Sequence, residues 1–233
     1  MTATLHLLCA GAAQGLVKAL QSRLLAEAGA EIAGRFGAVG AMKEALLAGE
    51  ACDVMVLTDK MIGELVESGA LRRESRAPLG RVRTGIAVRS GLAHPDVSTA
   101  EALKAALLAA DAIYFPDAVR STAGIHFANV MRELGIHDEL QSRFRTFPNG
   151  ATAMRELAAS DAPRPIGCTQ VTEIKYTEGV ELVAPLPARF ELATVYTAAV
   201  SARATEPALA ARLIAMLAGA DARALREAGG FED

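Results

Sequence analysis

The chain has 233 residues and a net charge of −3, with 52% hydrophobic residues, 4% aromatic residues and no tryptophan. That length suits one large or two small domains with real cores, and the hydrophobic share argues against disorder. Scarce aromatics argue against stacking platforms for sugars or single-stranded bases, and the lack of a Lys/Arg-dense run argues against nucleic acid as a partner.

The first segment, Leu5–Ala10, reads as a buried strand, and Gly11–Gly15 as a turn. Leu16, Leu20 and Leu24 then recur every four residues, one face of a helix that Gly29 stops. A strand follows over 31–36. Gly37-Ala38-Val39-Gly40 turns the chain into a helix bearing Met42, Ala45 and Leu46 that ends at Gly49. The first turn of a helix leaves backbone N–H groups without intrahelical partners, and the helix dipole adds partial positive charge there. Glycines allow a ligand to approach such groups, so this turn reads as one wall of an anion site. A third strand, 53–57, leads to Thr58, a helix N-cap before Met61, Ile62, Leu65 and Val66, and Gly69 closes that helix. The β-α-β-α-β-α order predicts parallel strands, with ligands beyond their carboxyl ends.

Arg83–Arg89 is the next predicted strand, followed by turn punctuation at Ser90-Gly91 and His94-Pro95. Ser98-Thr99-Ala100-Glu101 reads as a capping box. A strand over 112–115 leads through a loop, 116–122, to a helix from Ala123 that Gly135 ends. A short strand over 143–147, a helix capped by Asn149, a strand over 165–169 and a short helix over 170–176 repeat the β-α theme. A strong strand spans 193–201, and Thr205-Glu206-Pro207 starts the first of two closing helices.

Cys9, Cys52 and Cys168 are widely separated with no CxxC, which fits neither a disulfide framework nor a zinc site, and they read as small core residues. The four histidines have no metal-ligand spacing. No metal or other cofactor is expected. His126, one turn beyond Ser121-Thr122, reads as a half-buried side chain or a base, and Arg35 as a surface residue or an anion contact. The glycines at 34, 37 and 40 are spaced GxxGxxG, which is not the dinucleotide fingerprint. No stretch approaches the ~20 apolar residues of a membrane span. Met1-Thr2-Ala3-Thr4-Leu5-His6 lacks the basic and apolar regions of a leader, so the chain as written is expected in the cytoplasm, or in the periplasm if a signal peptide has been removed.

The order Phe36-Gly-Ala-Val-Gly-Ala-Met-Lys through Leu47-Ala-Gly-Glu-Ala-Cys-Asp53-Val-Met-Val-Leu-Thr-Asp59 resembles the molybdate-binding family of periplasmic solute-binding proteins. So do Val119-Arg-Ser-Thr-Ala-Gly124 through Leu134-Gly-Ile, the strand Tyr196-Thr-Ala-Ala-Val200 and the closing Gly229-Gly-Phe231. The resemblance covers nearly the whole chain. It implies an α/β, two-lobed type II periplasmic-binding-protein fold, each lobe a mixed sheet flanked by helices, with a ligand cleft between lobes. Residues 1–90 with 190–233 would form one lobe and 91–189 the other. It also implies a small anionic ligand and, if the protein is exported, an ABC permease partner.

In that family a serine in each of the first two turns gives a hydroxyl to a tetrahedral oxyanion. Here those positions fall at Ala13, Gln14 and Gly15 and at Gly37, Ala38 and Val39, so both hydroxyls are missing. The second-lobe turn falls at Arg120, Ser121, Thr122 and Ala123, with Asn149 at a further helix start, and the late tyrosine position at Gln170 beside Thr169. Apolar walls with amides and a guanidinium suit an organic carboxylate better than molybdate. Aconitate isomerase looks like a relative of this family. An isomerase moving an allylic proton on a carboxylic acid is therefore the alternative to a binding protein, and no residue stands out as its base.

Overall fold

The structure is a computed structural model that describes residues 3–233. Met1 and Thr2, part of the segment read for a leader, lie outside the described residues. Along the chain run β1 (Ala3–Ala10), α1 (Gln14–Ala28), β2 (Ala30–Gly37), α2 (Val39–Leu47), β3 (Val54–Thr58), α3 (Asp59–Glu67) and β4 (Ala77–Arg89). Then come α4 (Ala100–Ala109), β5 (Ala112–Pro116), α5 (Thr122–Glu133), α6 (His137–Leu140), β6 (Phe144–Phe147), α7 (Gly150–Ala158), β7 (Pro165–Gln170), α8 (Val171–Tyr176) and β8 (Val180–Pro185). The chain ends through β9 (Ala193–Val200), α9 (Pro207–Ala218) and α10 (Arg223–Gly229).

Two compact units result, one of residues 1–82 with 194–233, the other of 83–193. The chain passes between them within β4 and at the start of β9.

In the first unit β1 pairs in parallel with β2, from Ala3↔Ala30 to Ala10↔Gly37, and with β3. Parallel order follows from the intervening helices, which carry the chain back to the starting edge before each new strand. The sheet is mixed, because β9 returns from the other unit and runs antiparallel to β3. Leu5, Leu7 and Leu8 of β1, Val54 to Leu57 of β3, Ile62 and Leu65 of α3 and Leu213 and Leu217 of α9 are buried. The predicted ends of α1 and α3 hold: Gly29 and Gly69 adopt φ of 59° and 75°, the left-handed region that a side chain would strain.

In the second unit the strands neighbour one another as β8, β4, β7, β5, β6. All six residues of β7 are buried between its two neighbours. Phe115 of β5 meets Phe127 of α5 and Phe144 of β6 edge to face, with ring centroids 5.6 and 5.2 Å apart. The elements α6 and β8 are additions to the predicted set. A smaller correction concerns α4: Thr99, not Ser98, is its N-cap and accepts from the Ala102 N–H at 3.1 Å.

One buried carboxylate ties the first unit together. Asp53, 1% exposed, accepts from the backbone of His6 in β1 at 2.8 Å and from the N–H groups of Thr205 and Glu206 ahead of α9 at 2.7 and 3.2 Å. Burial raises its pKa, but the N–H groups of His6, Glu206 and Thr205 with the Thr205 hydroxyl outweigh that and hold it below the usual carboxylate range. Asp53→Ala should therefore cost about 2–4 kcal/mol in urea unfolding. The stabilisation from Asp53 is complete above its unfolded pKa of about 3.9 and is lost as pH falls through the lower native value. The variant should lose less stability than the wild type between pH 5 and 2, roughly, on acid titration.

Candidate functional site

In the first unit the in-register pair Ala10↔Gly37 brings the ends of β1 and β2 to the same edge of the sheet. A 3₁₀ turn over Gly11–Ala13 runs straight into α1, so helical structure starts earlier than the sequence suggests. Its leading backbone groups belong to Gly11, Ala12 and Ala13. Gln14 and Gly15 are already in the first turn of α1, half-buried, and Ala13 is fully buried. Next door Ala38 is the N-cap of α2, with φ −62° and ψ 142°, and Val39 is its first residue. Neither α1 nor α2 receives a side-chain cap at its start. The two turns thus present backbone donors framed by methyl groups. The space beside Gly37 is taken by the Met42 methyl, which a Cβ at Gly37 would press at 2.9 Å. Gly37 thus leaves room for the Met42 side chain against the end of β2. Arg35 pairs with Glu50 at the surface.

In the second unit Pro116↔Phe147 and Tyr114↔Gly167 bring the carboxyl ends of β5, β6 and β7 to one edge. Here helix starts carry polar caps. Ser121 caps α5, accepting from Gly124 N–H at 3.5 Å, and so keeps its own hydroxyl proton to donate. Thr122 is half-buried beside it, Ala123 is buried and Arg120 is exposed. Asp117 Oδ1 accepts from Val119 and Arg120 N–H at 2.7 and 3.0 Å and folds the loop back on the strand end. Gly124 is required by contact: a Cβ there would run into the Pro116 and Asp117 carbonyls. His126 reaches the Phe190 carbonyl oxygen at 2.7 Å, which gives it a structural partner.

Asn149 caps α7 through Oδ1, which accepts from Thr152 N–H at 2.8 Å. The N–H groups of Gly150 and Ala151, next in that first turn, go to Glu173. Glu173 stands at the third position of α8 and also accepts from the N–H of Gln170, that helix's N-cap, in the manner of a capping box. The Thr169 hydroxyl donates to its Oε2. One buried carboxylate thus caps two helices, and a Cβ on Gly150 would occupy its place. Burial pushes the Glu173 pKa up, against the opposing pull of the Thr169 hydroxyl and the N–H groups of Ala151, Gln170 and Gly150.

Thr169 is fully buried and engaged with Glu173, whereas Gln170 is 3% exposed and neither atom of its carboxamide has a partner among the described residues. Opposite Gln170 in the β4–β7 ladder stands Thr84, 1% exposed, whose hydroxyl also lacks a partner. Thr172 carries a third such hydroxyl. The sequence reading missed Glu173, Thr84 and Thr172. Its available signals were a polar residue inside an apolar strand and an acid three residues after a helix start.

A hollow of about 500 Å³ in the first unit lies elsewhere, at the amino end of β3 beside His6, Cys52 and Asp53. Asp53 is already engaged there, and burial pushes the Cys52 thiol up to about 12, which disfavours its thiolate. Among the described residues no cluster could hold a metal ion, and no helix is long and apolar enough to cross a membrane.

Glu173→Ala should cost about 3–5 kcal/mol, because it orphans donors of two helices, and Glu173→Gln clearly less. A raised native pKa means that stability falls as pH rises from the unfolded carboxyl value through the native one. Glu173→Gln should flatten that part of the pH–stability curve, read by thermal unfolding.

Comparison with known proteins now bears on this arrangement. The sequence pattern of the bacterial extracellular solute-binding proteins matches residues 5–232. A curated relative, an aconitate isomerase from Pseudomonas sp, is 27% identical over 194 residues, 81% of this chain and 71% of its own. Among solved structures, the periplasmic molybdate-binding protein of Azotobacter vinelandii superposes with a TM-score of 0.80 at 18% identity, covering 98% of this chain and 99% of that one. The sulfate-binding protein SubI of Mycobacterium tuberculosis H37Rv superposes at 0.74 and 15% identity, covering 98% and 86%. At such identities the likeness is one of fold, the type II periplasmic-binding-protein fold of two α/β units. The chain belongs to the bacterial extracellular solute-binding protein family.

Proposed function

We propose that this protein binds a small organic carboxylate through helix-start turns at the carboxyl ends of its strands. The observation that carries this reading is the pair of helix starts without a side-chain cap at the carboxyl ends of β1 and β2, where Ala38 and the Gly11–Ala13 turn offer N–H groups and methyl walls but no hydroxyl. An inorganic tetrahedral oxyanion has only acceptor oxygens and is best held by hydroxyl and N–H donors all round. An organic acid has a carbon skeleton for the methyl walls to cover. In the second unit Arg120 supplies a guanidinium suited to a carboxylate, with the Ser121 and Thr122 hydroxyls beside it. Asn149 has its oxygen engaged in capping, which leaves its amide N–H₂ for a ligand. In this reading a membrane permease is the partner class.

The relative named for aconitate, itself a carboxylic acid, favours the same ligand class and a second reading, an isomerase that shifts an allylic proton. Helix N-termini would stabilise the developing enolate-like charge. Glu173 is a poor base for that step, because its oxygens are engaged by two helices.

Thermal unfolding against inorganic oxyanions and di- and tricarboxylic acids tests the binding reading. A carboxylic acid at a hundredfold excess over Kd should raise Tm by about 5–10 °C, and molybdate, tungstate and sulfate should not. Stabilisation by the oxyanions alone would overturn it. Ala38→Ser restores a hydroxyl at the start of α2 and should bring in oxyanion-dependent stabilisation. Solvent deuterium appearing in a bound unsaturated acid, followed by proton NMR, would favour the isomerase, and its absence from every acid that stabilises the protein would exclude that reading.

A further inference from the structure

Gln170 is among the most buried polar residues of the second unit, and both ends of its carboxamide are without partners. Such groups are rare in folded proteins, because each has left water without compensation. Thr84 stands directly opposite in the antiparallel ladder. Residues so paired put their side chains on the same face of the sheet, with Cβ atoms about 4.5–5.5 Å apart. Thr172, two residues beyond Gln170, adds another buried hydroxyl without a partner. These groups lie at the carboxyl edge of β7, where the ligand turns of the second unit gather.

The chemistry of the pair is specific. A carboxamide has one donor end and one acceptor end, and turning it by half a rotation exchanges them but leaves one of each. A threonine hydroxyl likewise donates and accepts. The pair carries no charge. An all-acceptor oxyanion would satisfy the Gln170 N–H₂ but set its own lone pairs against Oε1. A group that donates as well as accepts satisfies both ends.

We infer that Thr84 and Gln170 form a subsite for a ligand group that both donates and accepts a hydrogen bond, so that the bound acid is a hydroxycarboxylate. This rests on the carboxylate reading and narrows it. The orphaned polar atoms then have a role: they lower the stability of the ligand-free protein and are satisfied on binding.

Isothermal titration with two matched pairs, citrate against tricarballylate and malate against succinate, tests the subsite. Within a pair that binds, the hydroxy acid should bind at least about tenfold more tightly than its deoxy partner. Thr84→Val and Gln170→Met remove the polar atoms at similar size. They should bring that ratio towards one and raise the ligand-free Tm. Equal affinity of the two partners in wild-type protein overturns the inference but leaves the carboxylate reading standing. A lowered Tm with the ratio unchanged overturns it in favour of a structural role. So does an ordered water that still bridges Thr84 and Gln170 in a crystal with the hydroxy acid bound. If none of the four acids binds while an inorganic oxyanion does, the carboxylate reading falls and the subsite with it.

Discussion

A helix that starts at the carboxyl edge of a sheet brings backbone N–H groups that need acceptors, and this constraint organises both units. The helix starts meet it in different ways. α3 and α5 use the side chains Thr58 and Ser121. α7 uses Asn149 together with Glu173, a carboxylate from the next helix along the chain. α1 and α2 have no side-chain cap. In the reading proposed above, the two starts left uncapped at the carboxyl ends of β1 and β2 are where an anion would supply the missing acceptor.

Glu173 is a cap supplied from another helix. It takes up the leading N–H groups of α7, and it needs Gly150 to do so. Asp53 does a related task in the first unit, joining β1 to the segment before α9. The two carboxylates titrate in opposite directions because they differ in the balance of burial and donors. Donors prevail at Asp53 and burial prevails at Glu173. Against these satisfied acids, the unpartnered amide of Gln170 and hydroxyl of Thr84 stand out as polar atoms whose satisfaction lies outside the chain's own hydrogen bonds.

Much of the architecture was legible from residue pattern. The leucine spacing of α1, the glycine stops at 29 and 69, and the caps at Thr58 and Asn149 are local signals, each acting within one or two turns of chain, and each appears where expected. The misses involve longer reach or competing signals. Ser98 and Thr99 both suit an N-cap, and only the backbone path selects Thr99. β4 begins at Ala77, ahead of the apolar run that announced it. β8 was overlooked although Val180, Glu181 and Leu182 alternate. Helical structure begins at Gly11 because a 3₁₀ turn precedes α1, and three small residues give little sign of that.

The sequence by itself determined the α/β alternation, the parallel order of the first three strands, the family resemblance and the absence of serine hydroxyls from the first two turns. These follow from periodicity, from capping residues and from side chains that are either present or not. Only the tertiary structure decided how the polar residues pair. Glu173 lies far along the chain from Gly150, and Thr84 farther still from Gln170, so neither juxtaposition leaves a local trace. Whether a buried amide finds a partner depends on which side chains the fold brings to its two ends, and that is a property of the packed sheet.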